Sequence, residues 1–432
     1  MIEQISKTGD EIVIQVRVKL TGSMMDMEEA IQEGINRAGT VATTEALKSF
    51  ESTGENIQIG GIRMYCKGKV KKEYETPYGR IELERNVYQK AKGGETFCPL
   101  DDRARIIVHS TPKFAKMITQ KYSITSARDV SEDLEWNHGR HVSRGFIQRT
   151  ADYVGTIAQA SEEHWDYEVP EQEDNITTIS VSLDGTMMLM VDDGYREAMT
   201  GNISLYNAKG KRVHTIYVGA APEHGKQVFL ERLQREIDRI KKKYPDAQYV
   251  GIADGASNNW KFLEPNTQHH ILDFYHASEY LTQVSYAFFS NEEGKRKKWL
   301  DEACHNLKNT KKAAEDILSQ MEKQKTAIQD KKKINKTVKG NLDQAITYFR
   351  NQMSRMDYAT YKEQNMPIGS GVTEAACKVL IKERLCRSGM KWKDAGAKTV
   401  LVLRALVKTT NRWGQFWQKL TQNGWGDLVL VN

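Results

Sequence analysis

The amino-acid sequence predicts an α/β protein of roughly two to four domains, with a mixed five-stranded sheet at its centre. Three observations carry this. From Thr177 to Val218, apolar and β-branched runs joined by Gly-containing turns read as three consecutive strands. From about Glu223, helical periodicity alternates with short strand-like runs, giving the order β-β-β-α-β-α-β-α. At 432 residues the chain also exceeds one ordinary core.

Apolar residues make up 39% of the chain and aromatics 9%, enough for a folded protein rather than a disordered one. A net charge of +6 leaves nucleic acid a plausible partner, whereas a ribosomal or histone-like protein would be far more basic. The five cysteines, Cys66, Cys98, Cys304, Cys377 and Cys386, are odd in number and loosely spaced. No apolar run follows Met1, and none approaches the ~20 residues that a membrane helix needs. The expected setting is therefore a reducing cytoplasm, with free and mostly buried thiols and no membrane partner.

Residues 1–110 read as an N-terminal α/β module. Glu11–Leu20 alternates like a half-buried strand, Met24–Phe50 has helical periodicity, and Pro77–Tyr88 alternates again after a Pro/Gly turn, as a hairpin does. Residues 111–170 read as helical. A short helix over Ser126–Leu134, a break at Asn137–Gly139 and a second helix from Arg144, capped by Ser143, make a helix-turn-helix-like DNA-binding segment. Arg140, Arg144 and Arg149 lie where such a unit meets phosphates or base edges; a small helical spacer is the alternative. Glu168–Asp174 is acidic, contains Pro170 and reads as a linker.

Residues 171–276 hold the β-rich order. Strand Thr177–Leu183 stops at Asp184-Gly185, and Met187–Val191, Asn202–Tyr206 and Arg212–Val218 follow. A helix over about Glu223–Lys243 sets Phe229, Leu230, Leu233, Ile237 and Ile240 on one face. Strand Gln248–Ala253 stops at Asp254-Gly255, a short helix surrounds Asn259–Phe262, and strand His269–Leu272 leads into a helix at Tyr275. This is the element order of the RNase H-like fold. There the first and fourth strands are parallel neighbours, which would set Asp184 beside Asp254. Residues 277–366 turn helical and lysine-rich at Lys295–Lys298, Lys311-Lys312 and Lys331–Lys333. They read as a helical insertion whose lysines form either a solvated face or a DNA-facing surface. Residues 367–432 carry a glutamate helix and the C-terminal helices.

Asp-Gly is first of all a turn dipeptide, so either step alone reads as a turn. Together with Glu374, near the start of the glycine-opened helix Gly369–Lys378, they put three carboxylates on two strands and a helix. Such oxygen ligands suit Mg²⁺, with Mn²⁺ expected to substitute, and paired hard cations suit in-line phosphoryl transfer. Ser370 can cap the glutamate helix. Lys378, one turn beyond Glu374, either pairs with it or contacts a phosphate. In Asp273-Phe-Tyr-His276, His276 can orient a phosphate or the attacking group. Asp273 either supports it or competes with Asp254 as the second metal ligand; a purely structural pair is the alternative. No Ser/His/Asp or Tyr nucleophile motif is evident, and this chemistry needs none. Cys377 and Cys386 read as core-filling thiols. Trp260, Trp299 and Trp392 read mainly as core, with Trp392 beside Lys391 the best placed of them to touch DNA.

At these residues the chain resembles bacterial insertion-sequence transposases of the DDE type, in the ISKra group related to Mutator-like elements. The matching segments are Val181–Gly185, Ala253–Ala256, Ile271–His276 and Pro367–Lys378; Ser388–Trp392, Leu403–Ala405 and Pro99–Asp101 extend the match. The resemblance implies Mg²⁺-dependent cleavage and strand transfer at the ends of a mobile element, with Asp184, Asp254 and Glu374 as catalytic acids and metal ligands. It implies double-stranded DNA as partner, both terminal inverted repeats and target, at least a homodimer on DNA, and a place at the bacterial nucleoid. Relatives carry Cys-x-x-His after the second acid; here Asp273 replaces the cysteine and only His276 carries over. Many relatives also pair cysteines in the N-terminal region, whereas Cys66 and Cys98 are isolated, so no structural zinc is expected. A catalytically silent, domesticated transposase that binds DNA is one alternative. Another RNase H-like nuclease is a second, which the helical insertion and the N-terminal DNA-binding candidate argue against.

Overall fold

A computed structural model describes residues 2–223, 225–290, 292–328, 335–369 and 371–424; the expected cap at Ser370 and the lysines 331–333 lie outside them. The chain forms two compact units. One comprises Met1–Glu168, Val402–Val407 and Arg412–Asn432, the other Val169–Leu401 and Lys408–Asn411. The first change of unit falls in the expected acidic linker, and residues 367–432, read above as one piece, are divided between the two. Among the described residues, no helix is long and apolar enough to cross a membrane.

The first unit contains β1 (Ile2–Thr8), β2 (Glu11–Val16), α1 (Met24–Lys48), β3 (Ile57–Ile59), β4 (Ile62–Glu75), β5 (Arg80–Lys90), β6 (Thr96–Phe97), α2 (Pro99–Arg103), α3 (Pro112–Ile124), α4 (Ala127–His138) and α5 (Arg144–Ser161). β1 and β2 pair antiparallel, and β3 to β6 form a four-stranded antiparallel sheet in sequence order. The expected hairpin is β4–β5. Its turn is tied by Thr76, whose hydroxyl donates to the Gly79 carbonyl and accepts from the Tyr78 and Gly79 N–H groups.

α3, α4 and α5 carry out the expected helical reading, with longer helices than the sequence suggested. A capping box of Ser126 and Asp129 starts α4, Gly139 in the left-handed region (φ 60°) ends it, and Ser143 caps α5. This turn sends Arg140 inward, against the expectation that it meets DNA. Arg140 is 6% exposed, donates to the Thr76 carbonyl, pairs with Glu75 and lies over the Phe114 ring. A guanidinium at a left-handed helix end finds its partners in the β4–β5 turn, not in solvent. Arg144 and Arg149 are exposed. Arg149 lines a cleft of about 450 Å³ with Lys71, Lys72, Arg80 and His109, beside Glu73 and Glu75.

The second unit contains β7 (Ile176–Met190), β8 (Gly194–Asn207), β9 (Arg212–Ala220), α6 (Gln227–Lys243), β10 (Gln248–Ala253), α7 (Ser257–Leu263), β11 (His269–Leu272), α8 (Phe274–Phe288), α9 (Glu293–Asn309), α10 (Ala313–Ile328), α11 (Lys336–Gln352), α12 (Tyr358–Glu363) and α13 (Gly371–Ala376). A π-helical turn over Cys377–Lys382 and α14 (Glu383–Leu385) follow. α15 (Asp394–Lys408) is shared between the units, and α16 (Arg412–Asn423) belongs to the first.

The sheet order is β11-β10-β7-β8-β9, with β10 parallel to both β7 and β11, and β7, β8 and β9 antiparallel. This is the expected mixed five-stranded sheet in an α/β unit. One sequence reading changes. β7 does not stop at Leu183 but runs to Met190, absorbing the Met187–Met190 run, so Asp184-Gly185 lies inside a strand. A long antiparallel pairing with β8, from Asp184↔Thr200 to Met190↔Gly194, overrides the local turn preference of Asp-Gly. On α6, Phe229, Leu233, Ile237 and Ile240 are buried as expected, and Leu230 packs at the edge of the same core.

The described residues of 277–366 are mainly helical as expected, and α11 braces the loop after β10. The Tyr348 hydroxyl donates to the Asp254 carbonyl at 2.7 Å, and the Gln352 amide donates to the Gly255 carbonyl. Several basic residues of this region have a partner close by. Lys295 pairs with Glu292, Lys298 with Glu302 and Lys311 with Glu363, while Arg296 lies over Tyr286. For these clusters the contacts favour a solvated, ion-paired face, each exposed pair adding little stability.

Candidate metal centre

The parallel strands set an acid at each of three neighbouring positions. Ile252 on β10 pairs with Ser182 on β7, so two residues on Asp254 stands in register with Asp184. Ala253 pairs with Leu272 on β11, and the Asp273 N–H donates to the Ala253 carbonyl, so Asp273 stands in register with Asp254. Asp254 and Asp273 leave the carboxyl ends of short parallel strands, the usual place for a ligand site in such sheets. Asp184 is level with them inside the longer β7.

Local chemistry fixes each side chain. Asp184 Oδ1 accepts from the Gly185 N–H at 2.7 Å, and Oδ2 accepts from the Cys377 thiol at 3.4 Å. Asp254 Oδ1 accepts from the Ala256 N–H and the Asn259 amide. This bends the chain after β10, and Gly255 takes the positive φ of 100° that the bend requires. Asp273 is fully buried; it caps α8 and accepts from the Tyr275 N–H at 2.9 Å. His276, one turn into α8, lies 4.0 Å from Asp273 and 3.5 Å from Glu279.

Glu374 arrives from about a hundred residues later in sequence. The Phe274 N–H donates to the Ile368 carbonyl, which ties the approaching chain to the start of α8. A Cβ at Gly369 would stand 3.0 Å from the Tyr275 ring and 3.5 Å from Asp273, so the backbone comes close here because it bears no side chain. Among the described residues, Asp273, His276 and Glu374 are a group whose ligand atoms all lie within 4.8 Å of one another. Asp184 and Asp254 lie outside that mutual set but beside it, since Asp184 feels the charges of both Asp254 and His276. Asp273, weighed from sequence against Asp254, is therefore the aspartate grouped with Glu374. Carboxylate oxygens with one imidazole are a donor set that fits Mg²⁺ or Mn²⁺.

Burial raises the Asp184 carboxyl above the ordinary carboxylate range; the Gly185 and Cys377 hydrogen bonds oppose this, while the Asp254 charge adds to it. A raised folded-state value means that the unfolded chain releases this proton first as pH rises. The Asp184 charge then weakens the fold above about pH 4. Metal-free Asp184→Asn is expected to melt above the wild type at neutral pH, with the difference closing near pH 3. Calorimetry across that range checks it, and a wild type more stable than the variant at pH 7 would overturn the burial argument.

Other expected residues fall differently. Lys378 is exposed and makes no ion pair with Glu374. The backbone widens into the π-helical turn at Cys377, so regular α stacking is not kept. Trp392 is half-buried, donates its indole N–H to the Leu385 carbonyl and has Arg384 over its ring. These contacts fit the packing role that is its main reading from the sequence. Lys391 beside it is exposed. Cys377, read as a core filler, is buried as expected but also bonds Asp184; only the pairing across the fold reveals this. The chain matches no protein-family model, and a search of curated proteins gives no match.

Proposed function

We propose that the second unit is an RNase H-like phosphoryl-transfer domain and that the chain is a DDE-type DNA transposase acting with Mg²⁺. The observation that carries this reading is the row of Asp184, Asp254 and Asp273 in register across β7, β10 and β11, met by Glu374 from a distant helix. The strand order, with β10 between β7 and β11, accords with the RNase H-like arrangement expected from the sequence. Bound at such a site, divalent cations activate a water or 3′-hydroxyl and offset charge on the leaving oxygen. Asp184, Asp254 and Glu374 are the proposed ligands, with Asp273 beside them. His276, which lies between Asp273 and Glu279, would orient a phosphate oxygen in this reading. No side chain becomes covalently attached to DNA. Arg144, Arg149 and Lys391 are exposed cations available to the phosphate backbone.

The test is nicking of supercoiled plasmid DNA by the full chain in Mg²⁺ or Mn²⁺, beside Asp184→Asn. Cutting by the wild type alone supports the reading. DNA binding without cutting in both proteins would instead favour a silent DNA-binding protein. Binding is expected to weaken steeply with salt, as phosphate-dominated association does. A flat response between about 50 and 200 mM salt would count against DNA as partner.

A further inference from the structure

Two polar rungs seat the Glu374 helix on the sheet. Ser182 and Asp184 alternate on β7 and pair across to Asn202 and Thr200 on β8. Two strand residues advance ~6.8 Å, and four helical residues advance ~6 Å. Thr373 and Cys377, four apart and flanking Glu374, therefore meet the two rungs in step. Thr373 donates to the Ser182 hydroxyl and accepts from the Asn202 amide at 3.0 Å. The Cys377 sulfur lies 3.0 Å from the Thr200 hydroxyl and 3.4 Å from Asp184 Oδ2. Ser182, Thr200, Asn202, Thr373 and Cys377 are all buried, and Asp184, at the end of this network, is half-buried. A thiol that only filled space would not need two polar partners.

We infer that Cys377 is a positioning residue: its thiol, steadied by Thr200, fixes the orientation of the Asp184 carboxylate and thereby its hold on a divalent cation. This rests on the reading of Asp184 as a metal ligand. Partners of a ligand, as distinct from ligands, commonly change metal affinity by roughly 10–100-fold when removed.

The experiment is a Mn²⁺ titration of the metal-free full chain, followed by electron paramagnetic resonance, for wild type, Cys377→Ala, Cys377→Ser, Asp184→Asn and the Cys377→Ala/Asp184→Asn double variant. Circular dichroism establishes that each is folded. Cys377→Ala is expected to weaken binding about tenfold or more, and Cys377→Ser, which keeps a donor, to recover part of that loss. In the Asp184→Asn background, Cys377→Ala should cost nothing further, because its effect runs through that carboxylate. A merely structural thiol would lower affinity by the same factor in both backgrounds, and that result overturns the inference. So does Cys377→Ala binding like wild type while Asp184→Asn binds weakly, an outcome that leaves the metal site standing. Should Cys377→Ala not fold, full wild-type affinity in Cys377→Val overturns the inference, and weakened affinity there supports it. Equal binding by wild type and Asp184→Asn removes the metal reading itself, and the inference with it.

Discussion

Asp184→Asn, Asp254→Asn and Glu374→Gln are each expected to lower Mg²⁺-dependent strand cleavage about a thousandfold while leaving DNA retention unchanged. The magnitude follows from the several kcal/mol that a bound cation contributes to charge stabilisation, each 1.36 kcal/mol being a factor of ten. The substitutions keep shape and remove charge. They occur in the second unit, whereas Arg144 and Arg149, which offer cations to DNA, are in the first. A gel assay of nicking beside a filter-binding assay separates the two properties. Asp273→Asn belongs in the same series because Asp273 shares the 4.8 Å group with Glu374. Full cutting by Asp254→Asn together with loss in Asp273→Asn would transfer the second-ligand role to Asp273. Retained cutting by any one of the other variants would remove that residue from the site.

Arg140→Ala is expected to destabilise the first unit by about 3 kcal/mol, a fall in melting temperature of roughly 10 °C, and not to act through DNA. Arg140 and Glu75 have side chains only 7% and 9% exposed, so removing the guanidinium strands a buried carboxylate. Arg80 also pairs with Glu75, at 2.9 Å, which moderates the loss. The Thr76 carbonyl loses its Arg140 donor as well. Arg149→Ala is the contrast: exposed and lining a cleft, it should lower DNA affinity and leave the melting temperature nearly unchanged. Thermal melts and DNA titrations of the two variants check this. Equal melting of Arg140→Ala and wild type would refute the buried-pair argument.

The strands that lead to Asp254 and Asp273 were legible in sequence to the residue, because Gln248–Ala253 and His269–Leu272 are short runs with apolar ends, the first closed by Asp254-Gly255 and the second by the helix start at Asp273. The same logic failed at Asp184. A turn dipeptide inside a long antiparallel pairing looks locally like a strand end, and only the partner strand shows otherwise. Arg140 failed for a related reason. Position in a helix-turn-helix-like pattern does not reveal which way a side chain turns after a left-handed glycine. The grouping of Asp273 with Glu374, and the bond from Cys377 to Asp184, arise from contacts between segments about a hundred to two hundred residues apart. No spacing rule reaches across that distance.

The hold of α11 on the loop after β10 limits how this protein can be shortened. Residues 277–366 look from sequence like a removable attachment, and trimming them would be the natural first step towards a smaller fragment of the second unit. Yet Tyr348 and Gln352 donate to the carbonyls of Asp254 and Gly255, and Tyr348 stacks on Tyr280 at 4.0 Å. A fragment without α11 would expose those carbonyls and leave the second aspartate on an unbraced loop, so a truncated protein should keep this helix even where its neighbours are cut away.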